Sequence, residues 1–240
     1  VATQARALRA ANTRANLENE LFGMYMDDNF IAKAEAWKQR HGGKKAGYRE
    51  MIPGDDFDLG EDGSALYYAD WDVVGIMFRD WKPAQSHNIS IQGTSGKTSY
   101  FLSVGYNHEE GVMTFNPDKL NKYNANMNVT SDITNWLQIG GRFSYSDKAY
   151  TTPNTRRNTY TYMWRWGSFF GPYGTYQGID MKNDIAYLKQ AGDDKTNDSY
   201  TRIGAFLKAT IIKGLTLNAD YTFNINNKTT KSVGLPVICW

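Results

Sequence analysis

Alternation of apolar and polar residues from His87 onward marks this chain as all-β: a portion of an antiparallel transmembrane β-barrel, led into by a helical and irregular segment. Six stretches alternate with period two. Most are ~9–11 residues long, the length that crosses a bilayer when tilted. Their connections are short and long in turn, matching barrels with tight turns on one side of the membrane and long loops on the other. Tyr100, Tyr106, Tyr145 and Phe223 stand at the ends of apolar faces, and a ring with a polar tip favours the headgroup level there.

Residues 1–86 come first. Ala5–Ala11 is rich in strong helix formers. A second helix is expected from an N-cap at Asn29 through Lys38, with Gly42-Gly43 as its stop. Phe30, Ala34 and Trp37 share one face of it, a stripe too narrow for an independent core, so both helices are expected to dock on something larger. Residues 51–86 read as irregular. Their acidic run of Asp55, Asp56, Asp58, Glu61 and Asp62 lacks the alternating ligand register of a calcium loop, and a solvated turn is expected.

Residues 87–240 carry the strands. Their apolar faces read Ile89-Ile91, Tyr100-Leu102-Val104-Tyr106, Tyr123-Ala125-Met127-Val129, Leu137-Ile139-Gly141-Phe143-Tyr145, Ile203-Ala205-Leu207-Ala209 and Leu215-Leu217-Ala219-Tyr221-Phe223. The opposite faces are rich in Asn, Ser, Gly and Lys. Tight links fall at 94–97, 131–135 and 213–214, whereas a long outer loop is expected at about 147–199. A water-soluble sandwich would show similar alternation. It would bury Leu102, Val104, Met127, Ile139, Ile203 and Leu217 against a second sheet, whereas a barrel turns them to lipid.

Composition narrows the function. The 240 residues carry 27 Lys+Arg against 25 Asp+Glu, a net charge of +2 that gives no electrostatic reason to expect nucleic acid. One cysteine, Cys239, excludes an internal disulfide framework and supplies too few thiols for a zinc cluster. His41, His87 and His108 lack metal-ligand spacing, and Glu109 and Glu110 would point to opposite faces of a strand. No catalytic constellation, metal site or cofactor site is therefore expected. Six strands cannot close a membrane barrel, for which 8 is about the minimum, so the barrel reading expects a piece of a longer polypeptide. Pro236 interrupts the alternation near Trp240, and that end reads as a truncation point.

Several blocks resemble, in order, the start of the barrel in SusC/RagA-type TonB-linked outer-membrane transporters. They are Asp70-Trp71-Asp72 with Met77-Phe78-Arg79, Gln85–Gly93, Thr98–Tyr106 with Glu110-Gly111, Lys122–Val129 and Trp136–Gly140. The resemblance covers roughly residues 66–224. It implies a 22-stranded barrel in the outer membrane of a Gram-negative bacterium of the Bacteroidetes type. It further implies uptake of oligosaccharides or peptides, energised through TonB and assisted by a SusD-like surface lipoprotein. The plug, the TonB box and a signal peptide are not seen in these residues.

An aromatic cluster in the long loop is the candidate contact site: Tyr160, Tyr162, Trp164, Arg165, Trp166, Phe169, Phe170, Tyr173 and Tyr176. Aromatic faces stack on sugar rings or peptides with little loss of rotamer freedom. Gly167, Gly171-Pro172, Gly174 and Gly178 suit a compact loop, so packing is expected of most of these rings. Contact with ligand or partner is assigned to Trp164, Arg165 and Trp166, with Tyr162 and Tyr173 beside them. Lys122, Arg142, Arg202, Lys208 and Asp220 are expected to face the lumen, most simply as solvated charges. The alternative reading is a soluble all-β glycan-binding module that uses the aromatic loop as its platform.

Overall fold

A computed structural model describes residues 2–14, 20–21, 24–25, 27–61, 65–166 and 172–240, with side chains at all of these except 14, 20, 21, 24, 25 and 162–166. Six long strands form one antiparallel sheet in sequence order: β1 (Ala84–Ser95), β2 (Thr98–Glu110), β3 (Lys119–Asp132), β4 (Leu137–Pro153), β5 (Asp193–Ile212) and β6 (Leu215–Ser232). The sheet is open, its edges being β1 and β6. The β1–β2, β3–β4 and β5–β6 turns lie at one end. The β2–β3 and β4–β5 connections and the segments flanking the sheet lie at the other.

Pairing register aligns the apolar residues into rows that cross all six strands. One row runs Ile91, Leu102, Met127, Phe143, Ile203 and Phe223; the next runs Ile89, Val104, Ala125, Tyr145, Thr201 and Ile225. The row after that begins His87, Tyr106 and Tyr123. Tyr106 stacks parallel to His87 at 6.3 Å and meets Tyr123 at 5.0 Å, so aromatic rings close the band on that side. Nothing among the described residues covers this face: Leu102, Val104, Met127, Ile139, Ile203 and Leu217 are 40% to 56% exposed. The second sheet that a sandwich requires is missing among the described residues, and the sandwich reading loses its support. Along β6 the outward run Leu215–Ile225 covers ten residue steps, ~34 Å of strand. At a tilt of ~40° that is ~26 Å in height, close to the ~25 Å apolar band of outer-membrane barrels.

The buried core lies elsewhere, in a head at the long-connection end. Helices α1 (Ala2–Arg14) and α2 (Asp28–Arg40), α3 (Val73–Met77) and α5 (Asp184–Lys189) pack with returning chain segments around Phe30, Trp37, Met51, Phe57, Trp71, Met77, Ile185 and Leu188. A short hairpin, Phe57–Leu59 with Ala65–Tyr67, joins them. Segment 46–51 is stitched in on both sides: Ala46 N donates to Asp70 O at 2.8 Å, and Met51 N to Thr175 O at 2.7 Å. The α2 face that enters the core holds the expected Phe30, Ala34 and Trp37, with Ile31 added.

Three expectations are corrected. The N-cap of α2 is Asp27, not Asn29, because the Asp27 carboxylate accepts the Phe30 N–H at 2.7 Å. The acidic run is not a solvated turn. Asp56 is 0% exposed and accepts from Trp37 Nε1 at 2.9 Å, from both terminal nitrogens of Arg49 at 2.6 and 2.7 Å, and from Ile52 N at 2.8 Å. Asp55 pairs with Arg40 and His41, and Asp58 with Lys33. Glu109 and Glu110 lie within β2, where Glu109 pairs with Lys82 and Glu110 with Arg79. The strands are also longer than expected, up to 20 residues in β5, and the β4–β5 connection shrinks to 154–192. The added lengths are polar on both faces, so hydropathic alternation gives no sign of them, while the backbone ladder continues from Tyr145↔Thr201 to Pro153↔Asp193.

Candidate functional site

A cleft of about 650 Å³ opens where the head meets the polar face of the sheet. Four chain segments converge on it, the start of β5 contributing Asp194. The stretch before β1 supplies Phe78 and Lys82, the β2–β3 connection supplies Val112, Met113 and Asp118, and the end of β4 with helix α4 (Arg156–Trp166) supplies Thr152, Arg156, Arg157 and Tyr160. Backbone bonds hold these segments together. Arg79 N donates to Val112 O at 2.9 Å, Thr114 N to Met77 O at 2.9 Å and Gly111 N to Asp118 O at 2.7 Å. A side chain at Gly111 would place its Cβ 1.8 Å from the Asp118 carboxylate, so the close approach of those two segments requires glycine.

Charge in the cleft is partly neutralised. Asp118 accepts from Tyr150 OH at 2.9 Å and faces Arg156 at 3.4 Å. Arg79 reaches Glu110 at 3.1 Å and the Gly111 carbonyl at 2.9 Å. Arg157 and Tyr160 are exposed; Tyr160 is 50% exposed and meets the Phe78 ring edge-on at 6.5 Å. An aromatic face, a guanidinium and two carboxylates, with Asp194 as the second, suit reversible contact with a polar chain ligand.

The expected contact residues separate. Tyr162, Trp164, Arg165 and Trp166 lie on α4, the helix that forms one wall of the cleft, but their side chains are outside the described residues. Phe169 and Phe170 are outside them altogether. Tyr173 is corrected: it is 2% exposed in the head core, and burial pushes its hydroxyl well above the usual tyrosine range. Its ring packs the head instead of presenting a face to ligand. Tyr176 also packs, 5.2 Å from Phe57 and 5.2 Å from Trp240. Gly174 explains the tightness, since a Cβ there would sit 2.4 Å from Arg49 O. Sequence reasoning missed Asp118 and the adjacent pair Arg156 and Arg157, which lie far from it in the chain and share no local motif with it.

One grouping of metal-ligand type exists among the described residues: the donor atoms of His41, Asp55 and Asp56 lie within 4.8 Å of one another. Arg40 already binds Asp55 at 2.7 Å, and Arg49 binds Asp56 at 2.6 Å. Burial works to raise the Asp56 carboxyl, yet Arg49, Ile52 N–H and Trp37 together hold it below the usual carboxylate range. The cluster is thus an ion-pair hub that fastens α2 to the hairpin, with guanidinium groups where a metal would need to sit.

No protein-family profile matches the chain, and no curated protein does. Solved structures do. The chain aligns over 95% of its length with a structure described as the RagAB peptide importer in the "closed-closed" state, at 19% identity and a TM-score of 0.56, covering 26% of that chain. In fold it resembles about a quarter of that importer chain. A second structure, described as the RagAB peptide transporter, aligns over 66% of this chain and 19% of its own at 21% identity, with a TM-score of 0.48. Likeness at these identities concerns the fold: a mostly β chain with an antiparallel sheet and a head of connections at one end.

Proposed function

We propose that this chain is the barrel-wall portion, with its outer head, of a SusC/RagA-like TonB-dependent transporter in the outer membrane of a Gram-negative bacterium. The parent protein would import oligosaccharides or peptides for nutrition and work with a SusD-like surface lipoprotein. The observation that carries this reading is the uncovered apolar band. Its rows cross all six strands, its height of ~26 Å fits a bilayer, and aromatic rings close one border. The open edges at β1 and β6 point the same way, because unpaired backbone in hydrocarbon needs further strands to satisfy it. The long connections gathered at one end support reading that end as the outer one. The cleft beside α4 is then the first concave surface that an incoming ligand or a capping lipoprotein would meet. The proposed role is passage without a chemical step, and no cofactor is assigned.

The test is fractionation and uptake with the full-length polypeptide that contains this chain. It should sediment with outer membranes, need detergent for extraction, and support growth on an oligomeric nutrient only while the proton gradient is intact. Recovery from the aqueous fraction without detergent would overturn the membrane assignment.

A further inference from the structure

The polar face holds a feature that the outer band does not explain. Across the strands, Asn107, Lys122, Lys148, Asp198 and Lys228 are successive pairing partners, on the face opposite the apolar band. Lys122 and Lys148 stand directly opposite each other, an arrangement of like charges that weakens a sheet. All three lysines are exposed, and no ion pair or side-chain hydrogen bond engages them, or Asp198, among the described residues. The row keeps a surplus of two positive charges. The two arginines on this face are engaged, Arg142 with Asp220 at 3.1 Å and Arg202 Nε donating to Asn224 at 3.0 Å, whereas Lys208, on this face near the opposite end of β5, is exposed and stands apart from the row. The lysines also lie on the path inward. Lys122 is four residues, ~13 Å of strand, below Asp118 in the wall of the cleft.

We infer that Lys122, Lys148 and Lys228 form a carboxylate-binding row for ligands that pass from the cleft into the lumen, so that the transporter favours anionic chains over neutral ones of equal length. The inference rests on the transporter reading. Carboxylates on an acidic peptide or on a uronic-acid oligosaccharide would both satisfy it. Ligand charge replaces the pairing that the strands leave out, and the like-charge opposition of Lys122 and Lys148 is relieved when a carboxylate lies between them.

The experiment measures binding to the purified full-length transporter with its lipoprotein. One pair of probes is a glutamate-containing nonapeptide and its glutamine counterpart; the other is tetragalacturonate and galactotetraose. In the Lys122→Gln/Lys148→Gln/Lys228→Gln protein, the preference for the acidic member of at least one pair should fall about tenfold, the order expected of three solvent-screened ion pairs. The matching Lys→Arg triple variant should keep it. Whichever pair responds identifies the carboxylate source. Equal preference in the wild-type and Gln proteins, or equal loss in the Gln and Arg proteins, overturns the inference. Salt gives a check on unmodified protein: the preference should shrink between ~0.05 M and ~0.5 M ionic strength, and a salt-independent preference overturns it. Wild-type protein that binds no member of either pair overturns the transporter reading itself.

Discussion

Replacing Ile203 by arginine puts the membrane reading at direct risk. Ile203 lies in the row Ile91, Leu102, Met127, Phe143, Ile203 and Phe223, near mid-height of the band and 51% exposed. Should that face meet hydrocarbon, an arginine at this depth costs ~2–4 kcal/mol. At ~3 kcal/mol the equilibrium constant for folding in the bilayer falls by a factor of about 100. The control is Ser103→Arg. Ser103 occupies the neighbouring row on the polar face, between Ser90 and Asn126, where a charge stays hydrated and should cost under ~0.5 kcal/mol. Both variants would be made in the full-length protein, reconstituted in phospholipid bilayers and unfolded in guanidinium, with retained heat-modifiable mobility as a second readout. A gap of at least ~1.5 kcal/mol between them is expected. Indistinguishable stabilities would show that the apolar band does not face lipid and would remove the observation on which the function rests.

Further expectations concern the head and the wall. Asp56→Asn keeps the side-chain volume but breaks the buried pair with Arg49, which should destabilise the head by ~3–5 kcal/mol; loss of hydrogen-exchange protection at the Ile52 amide reports it, and unchanged protection contradicts the hub. Because the folded Asp56 pKa is depressed, its contribution is present above the unfolded value of 3.8 and should fade as pH drops below that. Asp184 has the opposite sign: burial raises it to about 6, so its contribution is full below 3.8 and lost as pH rises through about 6. Asp184→Asn should therefore stabilise the head at pH 8 by ~1–2 kcal/mol, discounted for partial exposure, with no gain at pH 3.5. In the wall, a Cβ at Gly140 would lie 2.2 Å from the Phe206 ring and 2.7 Å from Val129 O, whereas at Gly141 the nearest atom is 3.9 Å away. Gly140→Ala should cost ~1–3 kcal/mol and Gly141→Ala far less, and Phe206→Leu should recover part of the Gly140→Ala loss in a double-mutant cycle.

The sheet was legible in the sequence because a period of two survives wherever the two faces differ in polarity. Ile203, Ala205 and Leu207 alternate with Arg202, Gly204 and Phe206, and that contrast marks the band. Beyond the band both faces are polar, so Thr151, Thr152, Thr196 and Asn197 carry no alternation, and the ladder that joins them escapes a hydropathic reading. The head was opaque for another reason. Its core draws on residues as distant as Trp37, Met113, Tyr173 and Leu188, and only the first of these sits on a helix long enough to display a stripe. Asp56 illustrates the limit: in sequence it is one of several neighbouring acids, and only the convergence of Arg49, Trp37 and the Ile52 amide on it separates a hub from a surface charge. Tyr160 was legible, since it stood in the aromatic cluster, but Arg156 gains its place only because α4 presents it beside Asp118.

A division of labour follows from where the apolar area is spent. The sheet buries almost nothing within this chain, Pro153 and Ala209 being its buried apolar side chains among the described residues, so within this chain it is held by the backbone ladder. The head keeps a core of its own. Its walls are tied by backbone bonds such as Asn154 N to Gly192 O at 2.9 Å, which pins the start of α4 to the entry of β5. Helix α4 starts from that fixed base and packs against α5, the helix that gives Ile185 and Leu188 to the core, so the wall of the cleft is held by the head as well as by the end of β4.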